Sequence, residues 1–284
     1  MKLFRHGPPG AERPGAFRGE VAIDASGFGG DFDERFFATD GLRRFADWFA
    51  HDGVQAPRVA DGVRLGPPVS RPSKIVCIGL NYRDHARETG APLPAEPIVF
   101  LKAPSALAGP NDDLPLPAGA EKLDFEVELG LVIGKRAKNV AVEQALEHVA
   151  GFVLHNDYSE RAFQIERGGQ WVKGKSGDGF APLGPHLVTR DAFPGFAAAR
   201  LWLTVNGETR QDSSTAEMIF DVPTLVSYVS RFMTLVPGDV ISTGTPAGVG
   251  MGRKPPVYLR AGDVVEYGID GLGKARQTIL ESSL

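Results

Sequence analysis

Three carboxylates stand at alternate positions in Asp124-Phe125-Glu126-Val127-Glu128-Leu129-Gly130-Leu131. Polar and apolar residues alternating in this way have the period of a β-strand. Asp124, Glu126 and Glu128 then share one face, about 7 Å apart at the root, and Phe125, Val127 and Leu129 share the other. Like charges on one face repel unless a cation sits among them, and oxygen ligands favour Mg²⁺ or Mn²⁺. The competing reading is an exposed acidic strand face. A second run, Gly151-Phe152-Val153-Leu154-His155-Asn156-Asp157, reads as a strand ending in an acid. Asp157 either brings a third carboxylate to the same cation or caps the polar segment from Tyr158 to Glu166.

Two further groups could do chemistry. His85 and Glu88 are three residues apart in a polar segment bracketed by Gly79 and Gly90, so on a helix they share a face. A carboxylate beside an imidazole fixes its orientation, an arrangement used for general-base catalysis. A solvated histidine with an i,i+3 partner has the same spacing. Lys175 is a lone cation in a glycine-rich loop and suits stabilisation of a developing oxyanion. Residues 169–176 also fit the phosphate-loop pattern G-x-x-x-x-G-K-[ST]. That pattern works only as strand, loop and helix, because the helix N-terminus must face the phosphates. Phe163 to Arg167 is too polar for a buried strand, and Gly177 to Pro185 cannot make a helix. The match reads as coincidence. A non-enzymatic nucleotide-binding protein is the alternative it leaves, and a non-catalytic metal-binding protein is a further one.

The elements that must position these groups are mostly strands and turns. Residues 1–70 read as a small N-terminal domain. It has a hairpin over Ala16 to Asp24, turning at Gly19, and an amphipathic helix from an Asp40 cap to His51, with Phe45, Trp48 and Phe49 as its apolar stripe. The proline-rich stretch Gly66 to Pro72 separates it from a second domain, residues 71–284. There the spacing predicts strands over Lys74 to Ile78 and Ile98 to Lys102, and a helix from about Ala141 to Ala150. It also predicts an Asn206-Gly207 hairpin, a helix capped by Asp221 that runs to about Met233, and a last hairpin through Gly271. The loop Gly244 to Gly252 could hold a carboxylate on its backbone N–H groups, or be a plain connection.

Composition narrows the function classes. A net charge of −4 over 284 residues gives no pull towards nucleic acid or anionic lipid. No apolar run approaches the ~20 residues of a membrane span. The first residues lack the apolar core of a signal peptide. The single cysteine, Cys77, lies in an apolar strand pattern and reads as core. A cytoplasmic protein is expected.

Taken together, the motifs resemble the fumarylacetoacetate hydrolase family over nearly the whole chain, most specifically over residues 74–274. They are Ile78-Gly79-Leu80-Asn81-Tyr82 with Asp84-His85, Glu126-Val127-Glu128-Leu129-Gly130, Asn156-Asp157, Gly174-Lys175-Ser176, Phe180 to Pro185 and Pro237 to Pro246. Glu160 to Trp171 and Met251 to Pro256 are similar to the branch of 2,4-diketo-3-deoxy-sugar-acid hydrolases of rhamnonate or fuconate type. The resemblance implies a mixed α/β, predominantly β fold, a β-sandwich roll with a small N-terminal β domain, in a homodimer. It implies a hydrolase dependent on Mg²⁺ or Mn²⁺. Such an enzyme cleaves the C3–C4 bond of a 2,4-diketo acid to pyruvate and a second carboxylic acid. Oxaloacetate decarboxylation is the alternative within the same chemistry.

Residue by residue, the resemblance makes Glu126, Glu128 and Asp157 metal ligands, leaving Asp124 outside the set. His85 and Glu88 become a dyad on a segment that orders as a lid, and Lys175 the active-site lysine. Thr245 becomes a contact to the substrate carboxylate, with Arg161 and Gln164 as further substrate-binding residues. One departure stands out. Gly179 lies where the family usually has a threonine whose hydroxyl helps order metal waters or the lysine.

Overall fold

The computed structural model describes residues 1–282. It is mixed α/β and rich in sheet. The larger sheet runs from one edge through Val21–Asp24, Arg13–Arg18, Lys2–His6, Leu187–Thr189, Val149–Asn156, Val127–Ile133, Val240–Ser242, Ile75–Gly79 and Ile98–Lys102, with Leu65–Gly66 beside Lys2–His6. A second sheet runs Glu208–Ser214, Arg200–Val205, Val264–Ile269, Gly273–Leu280 and Leu114–Pro115. Leu129 and Leu131 of the first and Leu201 and Leu203 of the second fall in one continuous core.

The centre of the larger sheet is the antiparallel pair Val127–Ile133 and Val149–Asn156, buried at every residue. Their apolar runs suit strands covered on both faces. The expected alternation from residue 124 does not hold as one strand. Leu123–Asp124 pairs separately with Ser159–Glu160, and the ladder restarts at Val127. Asp124 shares Arg161 with Glu126 but stays outside the three-acid group.

Residues 1–70 share a sheet and a core with the rest of the chain. Leu3 pairs with Leu187, and Leu3, Ala16, Phe32 and Phe45 lie in the common core. The hairpin forms as expected, Arg13–Arg18 against Val21–Asp24, with Gly19 at φ +59°. Phe45, Trp48 and Phe49 pack on one another along Gly41–Ala50. Asp40 does not cap that helix. It sits in the left-handed region and its carboxylate binds Arg43. Over 141–150 the chain forms 3₁₀ turns, Val142–His148, because the strand to Asn156 already begins at Val149. Asp221 caps Val222–Phe232 through the Thr224 N–H, and Asn206-Gly207 turns the Arg200–Val205 hairpin. Among the described residues no helix is long and apolar enough to cross a membrane.

His186 ties the N-terminal strands to the second sheet. Its ring meets Phe17 edge-on at 5.4 Å, and Gly273 leaves room for it. Burial, and then Lys2, lower its pKa to about 4. A folded pKa below the unfolded value means full stability above about pH 6.5, lost as pH falls towards 4. The loss is expected to be on the order of 2–3 kcal/mol. Urea midpoints at pH 7 and pH 4.5 check this, with a smaller acid loss expected in His186→Gln than in the wild type.

Candidate active site

Glu126 and Glu128 leave the sheet face beside Asp157, which follows the partner strand. Oxygens of all three carboxylates lie within 4.8 Å of one another. All three residues are buried. Octahedral coordination of Mg²⁺ at about 2.1 Å spaces its oxygens by roughly 3–4 Å, so a small contraction would close this set on one ion.

Three cations surround the acids. The Lys175 Nζ donates to Glu126 Oε2 at 2.7 Å and to Asp157 Oδ2 at 2.8 Å. Lys102 Nζ binds Asp157 Oδ1 and the Tyr158 carbonyl. Arg161 donates to Glu126 Oε1 at 2.5 Å, to Asp124 Oδ2 at 2.9 Å and to Gln164 Oε1 at 3.1 Å. Four buried carboxylates (Asp124, Glu126, Glu128, Asp157) thus face three buried cations (Lys102, Arg161, Lys175), one negative charge in excess.

The electrostatics single out the acid that lacks a partner. Burial opposes ionisation of Glu126 and Asp157. Arg161 and Lys175 outweigh it at Glu126, and Lys102 and Lys175 at Asp157, so both carboxyls are held below their ordinary values. Glu128 is pushed well above its ordinary value by burial, then by Asp157 and Glu126. No ion pair reaches it among the described residues. A dication among the three acids would supply the missing charge, so the donor set fits a divalent ion.

The turn carrying Lys175 depends on a glycine. A Cβ on Gly174 would stand 2.3 Å from the Glu160 carbonyl, so only glycine lets Val172–Lys175 pack against the Ala162–Glu166 turn. The phosphate-loop match has no counterpart here. A single helical turn ends at Lys175, and its ammonium is committed to carboxylates. Gly179 has φ +80°, and a Cβ there would meet Leu114 Cδ1 at 2.9 Å. The backbone at this position therefore disfavours the threonine the family resemblance led one to expect.

The loop after Val240–Ser242 links this cluster to the dyad. His85 Nδ1 lies 3.1 Å from Glu88 Oε2 on the helix Arg83–Thr89. Gly244 N–H donates to Glu128 Oε2, Gly248 N–H to Glu88 Oε1, and Gly250 and Met251 N–H to Asp124. The loop does hold carboxylates on its backbone, and they are the protein's own. One loop thereby bonds both the dyad and the acid cluster.

Thr245 is placed differently. Its hydroxyl donates to Val127 O and accepts from Gln211, both inside the protein. Arg161 and Gln164 lie together against Asp124 and Glu126. Replacing Arg161 by leucine leaves two buried carboxylates under-compensated, with an expected cost of about 3–5 kcal/mol. Chemical denaturation of the purified variant measures it.

Sequence reasoning missed Lys102 and Gln211. Lys102 closes the apolar strand Ile98–Lys102, a place where a lysine ordinarily turns to solvent, and only the pairing Ile75↔Lys102 brings it to Asp157. Gln211 bonds Val127 N, Thr245 and Pro246 O from the other sheet.

The family model for the fumarylacetoacetate (FAA) hydrolase C-terminal domain matches residues 74–280. The chain belongs to the fumarylacetoacetate hydrolase family. A Burkholderia multivorans protein, named provisionally as a hydrolase, is 50% identical over 279 residues, 98% of each chain. The fumarylacetoacetate hydrolase of psychrophilic Exiguobacterium antarcticum is 40% identical, with 99% of each chain covered and a TM-score of 0.87. The maleylpyruvate hydrolase of Sphingobium sp. SYK-6 is 31% identical over 99% of this chain and 100% of that one, with a TM-score of 0.82. Another solved relative, from Mycobacterium marinum, is named as a 2-hydroxyhepta-2,4-diene-1,7-dioate isomerase.

Proposed function

We propose that this enzyme hydrolyses the C3–C4 bond of a 2,4-diketo acid, an acylpyruvate or a 2,4-diketo-3-deoxy-sugar acid, to pyruvate and a second carboxylic acid. The observation that carries the reading is the buried triad Glu126, Glu128 and Asp157, with Lys175 on it and one loop joining it to His85–Glu88. The triad would hold Mg²⁺ or Mn²⁺. The ion, when bound, supplies Lewis-acid polarisation of the 2-keto acid end of the substrate.

The protein's own groups do the rest. Glu88, held by His85 and the Gly248 N–H, takes a proton from water. The oxygen adds to the C4 carbonyl, and Lys175 stabilises the negative charge that forms there. The C3–C4 bond then breaks with its electron pair on C3, and the proton held by the dyad returns to C3. One water is consumed. In this reading Arg161 and Gln164 shape the substrate end of the site, and Thr245, whose proton goes to Val127 O, acts there only through the backbone it holds.

Purified protein is incubated with Mg²⁺ and a panel of acylpyruvates, diketo-sugar acids and oxaloacetate. Pyruvate and a second acid in equal amounts are expected. Pyruvate with CO₂ alone would establish decarboxylation instead, and a rearranged product without water uptake would establish isomerisation.

A homodimer belongs to the same proposal. The edge strand Ile98–Lys102 leaves Ile98 and Leu101 exposed beside exposed Val172. Light scattering is expected to give twice the 30.4 kDa chain mass.

A further inference from the structure

The face that carries the triad also carries a group that the proposed reaction does not use. His155 is fully buried and lies directly across the ladder from Glu128. Ser242 lies on the opposite side of the same central strand, paired with Gly130. The imidazole reaches across that strand to Ser242, with Nδ1 2.6 Å from the hydroxyl oxygen. The hydroxyl in turn donates to Glu128 Oε2. We propose that His155 is a positioning residue that aims the metal ligand Glu128 through Ser242.

The direction of the chain of hydrogen bonds follows from counting protons. Ser242 has one, and it goes to Glu128. The short Nδ1 contact then requires the proton on Nδ1. The bare nitrogen is Nε2, which is buried without a partner among the described residues. Nδ1–H orders the serine, and the serine together with the Gly244 N–H claims Oε2. Among the described residues, both hydrogen bonds to the Glu128 carboxylate land on this one oxygen. Oε1 takes part in neither bond and is the oxygen this arrangement leaves for an ion.

The glycine in the middle is part of the device. Gly130 lies where the imidazole crosses, and a Cβ there would come within 2.8 Å of Val153 Cγ1 and 3.8 Å of His155 Cβ. A side chain on that face would crowd the path from His155 to Ser242. Polar partners behind a ligand fix its orientation, and their loss typically costs about 10–100-fold in metal affinity.

This inference rests on the triad binding an ion. The test is calorimetric titration of Mn²⁺ into metal-free wild type and into His155→Asn, His155→Gln and Ser242→Ala, each with a thermal melt. The asparagine amide can stand where Nδ1–H stands, whereas the glutamine amide reaches the Nε2 position. His155→Asn is expected to bind within about 3-fold of wild type, and His155→Gln and Ser242→Ala about 10–100-fold more weakly. Wild-type affinity in His155→Gln or in folded Ser242→Ala overturns the proposal, as does asparagine faring no better than glutamine. Absence of uptake by the wild type instead overturns the metal site itself, and the positioning role with it.

Discussion

Lys175→Met is expected to lower turnover by about 10²–10³-fold while divalent-ion affinity stays level or rises. The two effects separate because the ammonium has two relations to the site. Towards substrate, its proposed role is to meet the charge developing at C4. Towards the acids it is a competitor, since its contacts of 2.7 and 2.8 Å occupy Glu126 and Asp157, two of the three proposed ligands. Deleting it removes positive charge beside an incoming dication. The metal-free variant should be less stable, because Glu126 loses one of its two cations, and Mn²⁺ should restore more melting temperature than in the wild type. Steady-state kinetics and calorimetry read the two effects. Near-normal turnover would rule out the oxyanion role, and weakened ion binding would show the lysine to support the site rather than compete with it.

Glu128→Gln carries the second large effect. Among the described residues Glu128 is the triad member without an ion pair, and burial and its two acidic neighbours push its carboxyl well above the ordinary value. The amide is nearly isosteric, and its oxygen can still accept from Ser242 and the Gly244 N–H. Metal-free protein should therefore keep or gain stability. Ion affinity should fall by at least about 100-fold, beyond the loss typical of an outer partner, and activity with it. Thermal melts with and without Mn²⁺ show both signs in one experiment. A metal-free protein that melts earlier than the wild type would mean that Glu128 is ionised and balanced by charge not attributed to it here.

These two residues also show how far the sequence could be read. The strand period puts Glu126 and Glu128 on one face and Asp157 at a strand end, because local periodicity and strand ends are written in adjacent residues; the family resemblance is what makes Asp157 a third ligand rather than a cap. The same period also puts Asp124 with them, and Asp124 lies outside the three-acid group. Nothing local announces that the ladder breaks at Phe125–Glu126, a break set by the pairing of Leu123–Asp124 with Ser159–Glu160 far along the chain. His85 and Glu88 met as a helical i,i+3 pair should. Lys102, Gln211 and the His155–Ser242 link could not be foreseen, since each depends on which strands become neighbours. Ser242 and His155 flank the strand of Glu128 only because the order of the sheet places them there. The glycine-rich loop was legible as a holder of carboxylates, though not that the carboxylates would be those of Glu88, Asp124 and Glu128.

The claim beneath all of this is that Glu126, Glu128 and Asp157 grip one divalent ion. Crystals of the metal-free protein soaked in Mn²⁺, with an anomalous difference map, test it directly. A single strong peak is predicted, at coordination distance, roughly 2 Å, from an oxygen of each of the three side chains. A map with no peak there, or with manganese bound only elsewhere on the chain, would contradict it.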